Sequence, residues 1–256
     1  MNAPTTPGRL VLVPCTLDLG TSPTPITEVL GHGVLLRAAG LSHWVVENAK
    51  AARAFLKRVG EVTPLAQPLQ AMQVQELPRA RKGAPADTST EREWAALLAP
   101  ALAGHDIGLL SDAGLPAVAD PGARLVAAAH AAGVVVEPLP GASSLTLALA
   151  ASGLNGQRFA FEGYLPQDAE ERGRRVRALE QRSRQEGQTQ LVIETPYRNP
   201  ALLDALLRTL QPGTRLSVAC GLTSPGGFCR TATVAQWRQA PTALPTELPA
   251  VFLWLA

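Results

Sequence analysis

The chain has 256 residues, 46% of them hydrophobic, and a formal net charge of +2, enough apolar material to bury a large core in one domain or two smaller ones. No window approaches 18 consecutive apolar residues and the first residues lack a basic-then-apolar layout, so neither a membrane span nor a signal peptide is expected and the cytoplasm is the default address. Cys15, Cys220 and Cys229 are an odd set without close pairing, and the four histidines show no metal-ligand spacing, so neither a disulfide framework nor a metal centre is expected.

Short apolar runs alternate with longer segments of helical period, which predicts an α/β protein with a largely parallel sheet. The runs are RLVLVP (9–14), HWVVE (43–47), DIGLLS (106–111), GVVVEPLP (133–140), QLVIE (190–194), RLSVAC (215–220) and AVFLWLA (250–256). Helices are predicted at 48–60, with Asn48 as cap; at 90–103, with Thr90 and Glu93 as a capping box; and at 122–132, 143–152, 168–186 and 199–210. LPGASS (139–144) follows the fourth run and a second series of elements succeeds it. The natural division is therefore two α/β domains, 1–140 and 141–256, with a single doubly wound sheet as the competing arrangement. The polar stretch RARKGAPADTST (79–90) has no period and predicts an exposed loop.

SDAGLPAVADPG (111–122) stands where a strand gives way to a helix, and in open α/β sheets ligands bind outside such carboxyl ends. Its glycines allow sharp turns and close backbone approach. Asp112 is positioned there to bind a cationic or hydroxyl-bearing group. Asp120 reads as the cap of the helix that follows, with Pro121 at its first position. No G-x-x-x-x-G-K-[ST], G-x-G-x-x-G or G-x-S-x-G motif accompanies any strand, which disfavours nucleoside triphosphate, dinucleotide and serine-hydrolase sites. The arginine-rich helix at 168–186 permits two readings: phosphate neutralisation on RNA, or a solvated face paired with Glu170, Glu171, Glu180 and Glu186.

SDAGLPAVADPG, then VVVEPLPGASSLTLALAASGL, RFAFEGYLP and LVIETPYR together resemble the tetrapyrrole methylase superfamily, and within it the branch of small-subunit ribosomal RNA methyltransferases. The similarity runs over about residues 9–256. The resemblance implies two α/β domains of tetrapyrrole methylase type, a homodimer, and S-adenosylmethionine bound in a cleft between the domains. By this resemblance Ser111, Asp112, Ala113 and Gly114 supply acceptors and backbone groups to that ligand. Pro140, Gly141, Ala142 and Ser143 supply a second close backbone approach. The small side chains of Ala148, Ala151 and Gly153 leave room for adenine, or else serve helix packing.

Glu194, counted with the cofactor-binding residues, makes with Tyr197 and Arg198 a further polar cluster that orients substrate or the dimer partner, or else only caps and stacks where Pro196 starts a turn. The branch implies methyl transfer to a ribose 2′-hydroxyl of ribosomal RNA. The alternatives are transfer to a tetrapyrrole or other small molecule, or a non-catalytic dimer that keeps the cofactor pocket. A hydroxyl acceptor profits from a base, for which Glu47 is the first candidate, its competing role being an ion pair with Lys50 or Arg53. The branch's usual TPIGNL-like turn and E-D-T-R are replaced here by PCTLDLG (14–20) and by Glu47, Asn48, Ala49 and Lys50, departures on the side where an acceptor would enter.

Overall fold

The computed structural model describes residues 6–17, 24–78 and 90–256. Most of the predicted loop at 79–90, and Asp18 and Leu19 of the departing turn, lie outside the described residues. The chain divides into two compact units, Met1–Ala142 and Ser143–Ala256.

The first unit runs β1 (Arg9–Leu12), α1 (Ile26–Val29), α2 (His32–Ala39), β2 (His43–Val46), α3 (Ala49–Val62), β3 (Gln73–Glu76), α4 (Glu91–Ala96), α5 (Ala99–Leu102), β4 (Ile107–Leu110), α6 (Ala123–Ala131) and β5 (Val135–Pro138). Its strands form one sheet in the order β3-β2-β4-β1-β5, every pair parallel. Both faces are covered. Val11, Trp44, Val46 and Leu110 pack with Leu35 of α2 and Leu56 of α3, while Leu10, Val45 and Leu109 pack with Trp94 of α4 and Leu125 of α6. Two-sided burial explains why these strands read as continuous apolar runs. In β4, Gly108 interrupts the run because a Cβ there would lie 2.5 Å from the Trp44 ring.

Asn48 caps α3, its Oδ1 accepting the N–H groups of Lys50 and Ala51 at 2.9 and 3.3 Å. Thr90 and Glu93 form the predicted capping box. The single helix predicted for 90–103 is two short ones, because Pro100 lacks the N–H that a continuous helix would use. At the amino end of the sheet, Arg37 joins Asp106 and Glu137 at 2.7 and 2.8 Å.

The second unit runs α7 (Ser144–Ser152), β6 (Phe159–Tyr164), α8 (Ala169–Glu186), β7 (Thr189–Glu194), α9 (Asn199–Thr209), β8 (Arg215–Cys220), β9 (Phe228–Thr233), α10 (Val234–Gln239) and β10 (Ala250–Leu255). Its sheet has the order β6-β7-β10-β8-β9. Only β6 and β7 are parallel; β10 runs antiparallel to β7 and β8, and β8 to β9. The expectation of largely parallel pairing therefore fails for this unit. β8 and β9 are joined by a short loop without a crossover helix, and a short loop permits only antiparallel neighbours.

One face packs on α8, α9 and α10 around Leu179, Leu206, Trp237 and Phe252; the other packs on α7 through Leu145, Ala148 and Leu149. On α8, Arg174 pairs with Glu170 as the solvated-face reading expects, but other arginines find partners that sequence did not suggest. Arg175 and Arg182 both pair with Glu162 of β6. Glu180, counted among solvated partners, is instead buried and accepts from the Gln211 N–H at 2.8 Å and from the Thr214 hydroxyl.

Candidate functional site

In the first sheet the chain leaves β1 toward β2 on one side and leaves β4 toward β5 on the other, while β1 and β4 are neighbours. Diverging exit loops open a crevice at the carboxyl ends of the strands, where ligands of such sheets bind. The loops after β1 and β4 are tied across it by an antiparallel bridge, the N–H of Cys15 donating to the Gly114 carbonyl at 2.8 Å and the N–H of Gly114 to the Cys15 carbonyl at 2.9 Å. Gly114 has φ +68 and open space where a Cβ would stand, so its backbone is bare. The loop after β5 approaches too. A Cβ on Gly141 would lie 2.3 Å from Pro14, so the close approach expected at 140–143 is in part contact with the chain itself.

Beside this crevice is a cavity of about 560 Å³ at the carboxyl ends of β2, β3 and β4 and the start of α6, lined by Glu47, Asn48, Trp94, Asp112, Asp120 and Arg124 among others. Glu47 donates its backbone N–H to the Leu110 carbonyl at 3.0 Å. Its carboxylate accepts the N–H of Asp112 at 3.2 Å. The Arg124 guanidinium lies 5.2 Å from the centre of the Trp94 ring, within cation–π range.

Asp120 does not cap α6. Gly122 occupies the cap position, without a side-chain cap bond, and the helix starts at Ala123. Left-handed backbone at Ala117 and Ala119 (φ 67 and 63), costing about 1–2 kcal/mol each in residues with a Cβ, leads the chain instead so that Asp120 lines the cavity. Burial, and then the carboxylates of Glu47 and Asp112, push the Asp120 carboxyl up to about 6.

The remaining expected residues are distributed as follows. Ser111 is buried at the end of β4, and its Oγ has no hydrogen-bond partner among the described residues. Asp112 is exposed and Ala113 half-buried. Pro140 and Gly141 are exposed and Ala142 half-buried at the end of the first unit. Ser143 opens the second unit as the residue before α7, buried and without a side-chain cap bond. On α7, Ala151 is exposed, whereas Ala148 belongs to the core.

Both Glu194 oxygens are engaged, one by the Thr195 N–H at 2.7 Å and one by Arg198 at 2.8 Å. Its cluster is held by a single turn at Pro196–Arg198 that leaves Tyr197 exposed. Sequence reasoning missed Trp94 and Arg124, which carry no local signal distinguishing them from helix-packing and surface residues. Among the described residues no group of three or more His, Cys, Asp or Glu is arranged to hold a metal ion, and no helix is long and apolar enough to cross a membrane.

Residues 43–236 match the family model described as Tetrapyrrole (Corrin/Porphyrin) Methylases. The chain belongs to this family. The tetrapyrrole methylase fold extends to solved structures. One is the uroporphyrin-III C-methyltransferase from Thermus thermophilus in complex with S-adenyl homocysteine, which aligns with a TM-score of 0.51 at 19% identity and covers 97% of each chain.

Among curated members, ribosomal RNA small subunit methyltransferase I of Synechocystis sp. is 42% identical over 127 residues, 50% of this chain and 44% of that protein. The protein of the same name from Pseudomonas aeruginosa is 42% identical over 117 residues, 45% of this chain and 39% of that one. The matches thus span less than half the length of these relatives.

Proposed function

We propose that this tetrapyrrole methylase family member is an S-adenosylmethionine-dependent methyltransferase whose acceptor is a ribose 2′-hydroxyl of small-subunit ribosomal RNA, working in the cytoplasm as a homodimer. The observation that carries the reading is the 42% identity to relatives named for that RNA.

The chemistry of the first unit's carboxyl edge fits the donor. The orphaned Ser111 hydroxyl, the open space beside Gly114 where no Cβ stands, and the exposed Asp112 carboxylate offer a hydroxyl, room for close approach and an anion to a ligand that carries hydroxyls and an ammonium. When bound, that ligand supplies a methyl group already activated by its positive sulfur. The protein's main task is then alignment, a contribution of up to about 7–11 kcal/mol. The carboxylates of the adjacent cavity would repel phosphate, so an RNA acceptor enters it sugar first. For the dimer, Phe159, Phe161 and Tyr164 on edge strand β6 are 46%, 37% and 60% exposed, apolar area of the kind that pairing with a second copy covers.

Calorimetry with S-adenosylmethionine and its demethylated product, on the wild type and Asp112→Ala, tests the donor site. Binding by the wild type and weakened binding by the variant are expected; failure of the wild type to bind either ligand refutes the reading. Methylation mapping of total RNA with and without the gene tests the acceptor. An unchanged RNA map beside intact donor binding would transfer the assignment to a small-molecule acceptor or to a non-catalytic role.

A further inference from the structure

The three carboxyl groups of the cavity are not equivalent. Glu47 is committed to the N–H of Asp112, and Asp112 itself is open to solvent. Asp120 is half-buried, and among the described residues nothing hydrogen-bonds to its carboxyl. Two alanines held in left-handed backbone, at 117 and 119, deliver it to the cavity instead of to the helix end, and strain of this kind concentrates at working sites. We propose that Asp120 is the residue that takes the proton from the acceptor hydroxyl, with Glu47 as the positioning residue that fixes the loop after β4 beside it. This assignment rests on the methyltransferase reading.

The balance is simple. As the acceptor oxygen bonds to the methyl carbon, the carbon–sulfur bond breaks, its electron pair stays on a sulfur that leaves neutral, and the O–H proton passes to an Asp120 oxygen and then to water. The groups that face Asp120 set its readiness for this. Glu47 after β2 and Asp112 after β4 raise its proton affinity, together with burial, to about 6. Arg124 of α6 also lines the cavity, over Trp94, and Glu76 at the end of β3 is held by the Ala49 N–H at 2.9 Å. A carboxylate with a midpoint just below neutral pH is ionised yet basic enough to accept a proton.

The test combines a titration with a rate. In protein carrying 13C-labelled aspartate, the Asp120 carboxyl is expected to titrate near 6, and Glu47→Gln to lower that midpoint. Single-turnover methyl transfer to small-subunit RNA by Asp120→Asn is expected to fall about 10²–10⁴-fold, with S-adenosylmethionine binding and circular dichroism unchanged and with partial recovery in Asp120→Glu. A midpoint in the ordinary carboxylate range overturns the assignment, as does an Asp120→Asn variant that transfers as fast as the wild type. If the wild type binds no S-adenosylmethionine, the methyltransferase reading itself falls; if it binds and methylates while the variant keeps pace, only the Asp120 assignment falls.

Discussion

Replacing Asp120 by Asn should make the first unit more stable, by an amount that depends on pH in a fixed direction. The folded carboxyl is raised from its ordinary value to about 6, so the folded state holds a proton that the unfolded chain has already released. Below about pH 4 both states are protonated and the group contributes nothing. Between about pH 4 and pH 6 the unfolded chain ionises first and stability falls; above that window the full penalty remains.

A displacement of about two units is worth about 3 kcal/mol, and solvent access to a half-buried carboxyl reduces this to roughly 2 kcal/mol. Asn is nearly isosteric and carries no charge to desolvate. Urea unfolding at about pH 8 and about pH 4, following the first unit separately because two units need not unfold together, should show the variant ahead by roughly 2 kcal/mol at the higher pH and level at the lower. A variant gain that is the same at both pH values, or a loss at the higher one, would refute the reasoning.

Gly108→Ala should cost the first unit about 1–3 kcal/mol by overpacking, since the new Cβ would lie 2.5 Å from the buried Trp44 ring; an unchanged urea midpoint would contradict that geometry. Arg37→Ala should lose about 1–2 kcal/mol at neutral pH, because the guanidinium holds Glu137 below the usual carboxylate range and, after the Arg9 N–H, helps to hold Asp106 there. Groups lowered on folding stabilise above their unfolded values and lose that contribution as pH falls through the folded ones. The gap between this variant and the wild type should therefore narrow as the pH falls below the ordinary carboxylate range, and a gap that stays constant on acidification would exclude the ion pairs as its source.

Legibility in the sequence followed burial. The strands that read as apolar runs include all six central ones, β1, β2, β4, β7, β8 and β10. Three of the four edge strands went unread: QVQE in β3, FAFEGY in β6 and FCRTAT in β9. QVQE and FCRTAT carry the polar residues with which an edge strand discourages further pairing, so they lose the pattern that marks a strand, whereas FAFEGY keeps its aromatics and is broken by the irregularity at Glu162 and Gly163. The short helices α1 and α2 were missed because each is too brief for period to declare itself. Local chemistry fared better, as the cap at Asn48 and the box at Thr90 and Glu93 show, because a cap is a contact between residues three apart or fewer.

At the site, the density of Asp, Gly and Pro between 108 and 126 marked the loop after β4, and Glu47 was legible as a carboxylate at a strand end. Asp120 misled, since D-P-G satisfies every local rule for a helix cap while the tight turns at 117–122 carry the chain elsewhere. By itself the sequence determined which segments must be buried and where the backbone must be free to bend, because both depend on a residue and its near neighbours. Only the tertiary structure decided that strand directions differ between the two sheets and that Glu47 and Asp112, 65 residues apart, share one cavity with Asp120. Those outcomes depend on β2 lying beside β4, a pairing set by the competition of whole strands for partners.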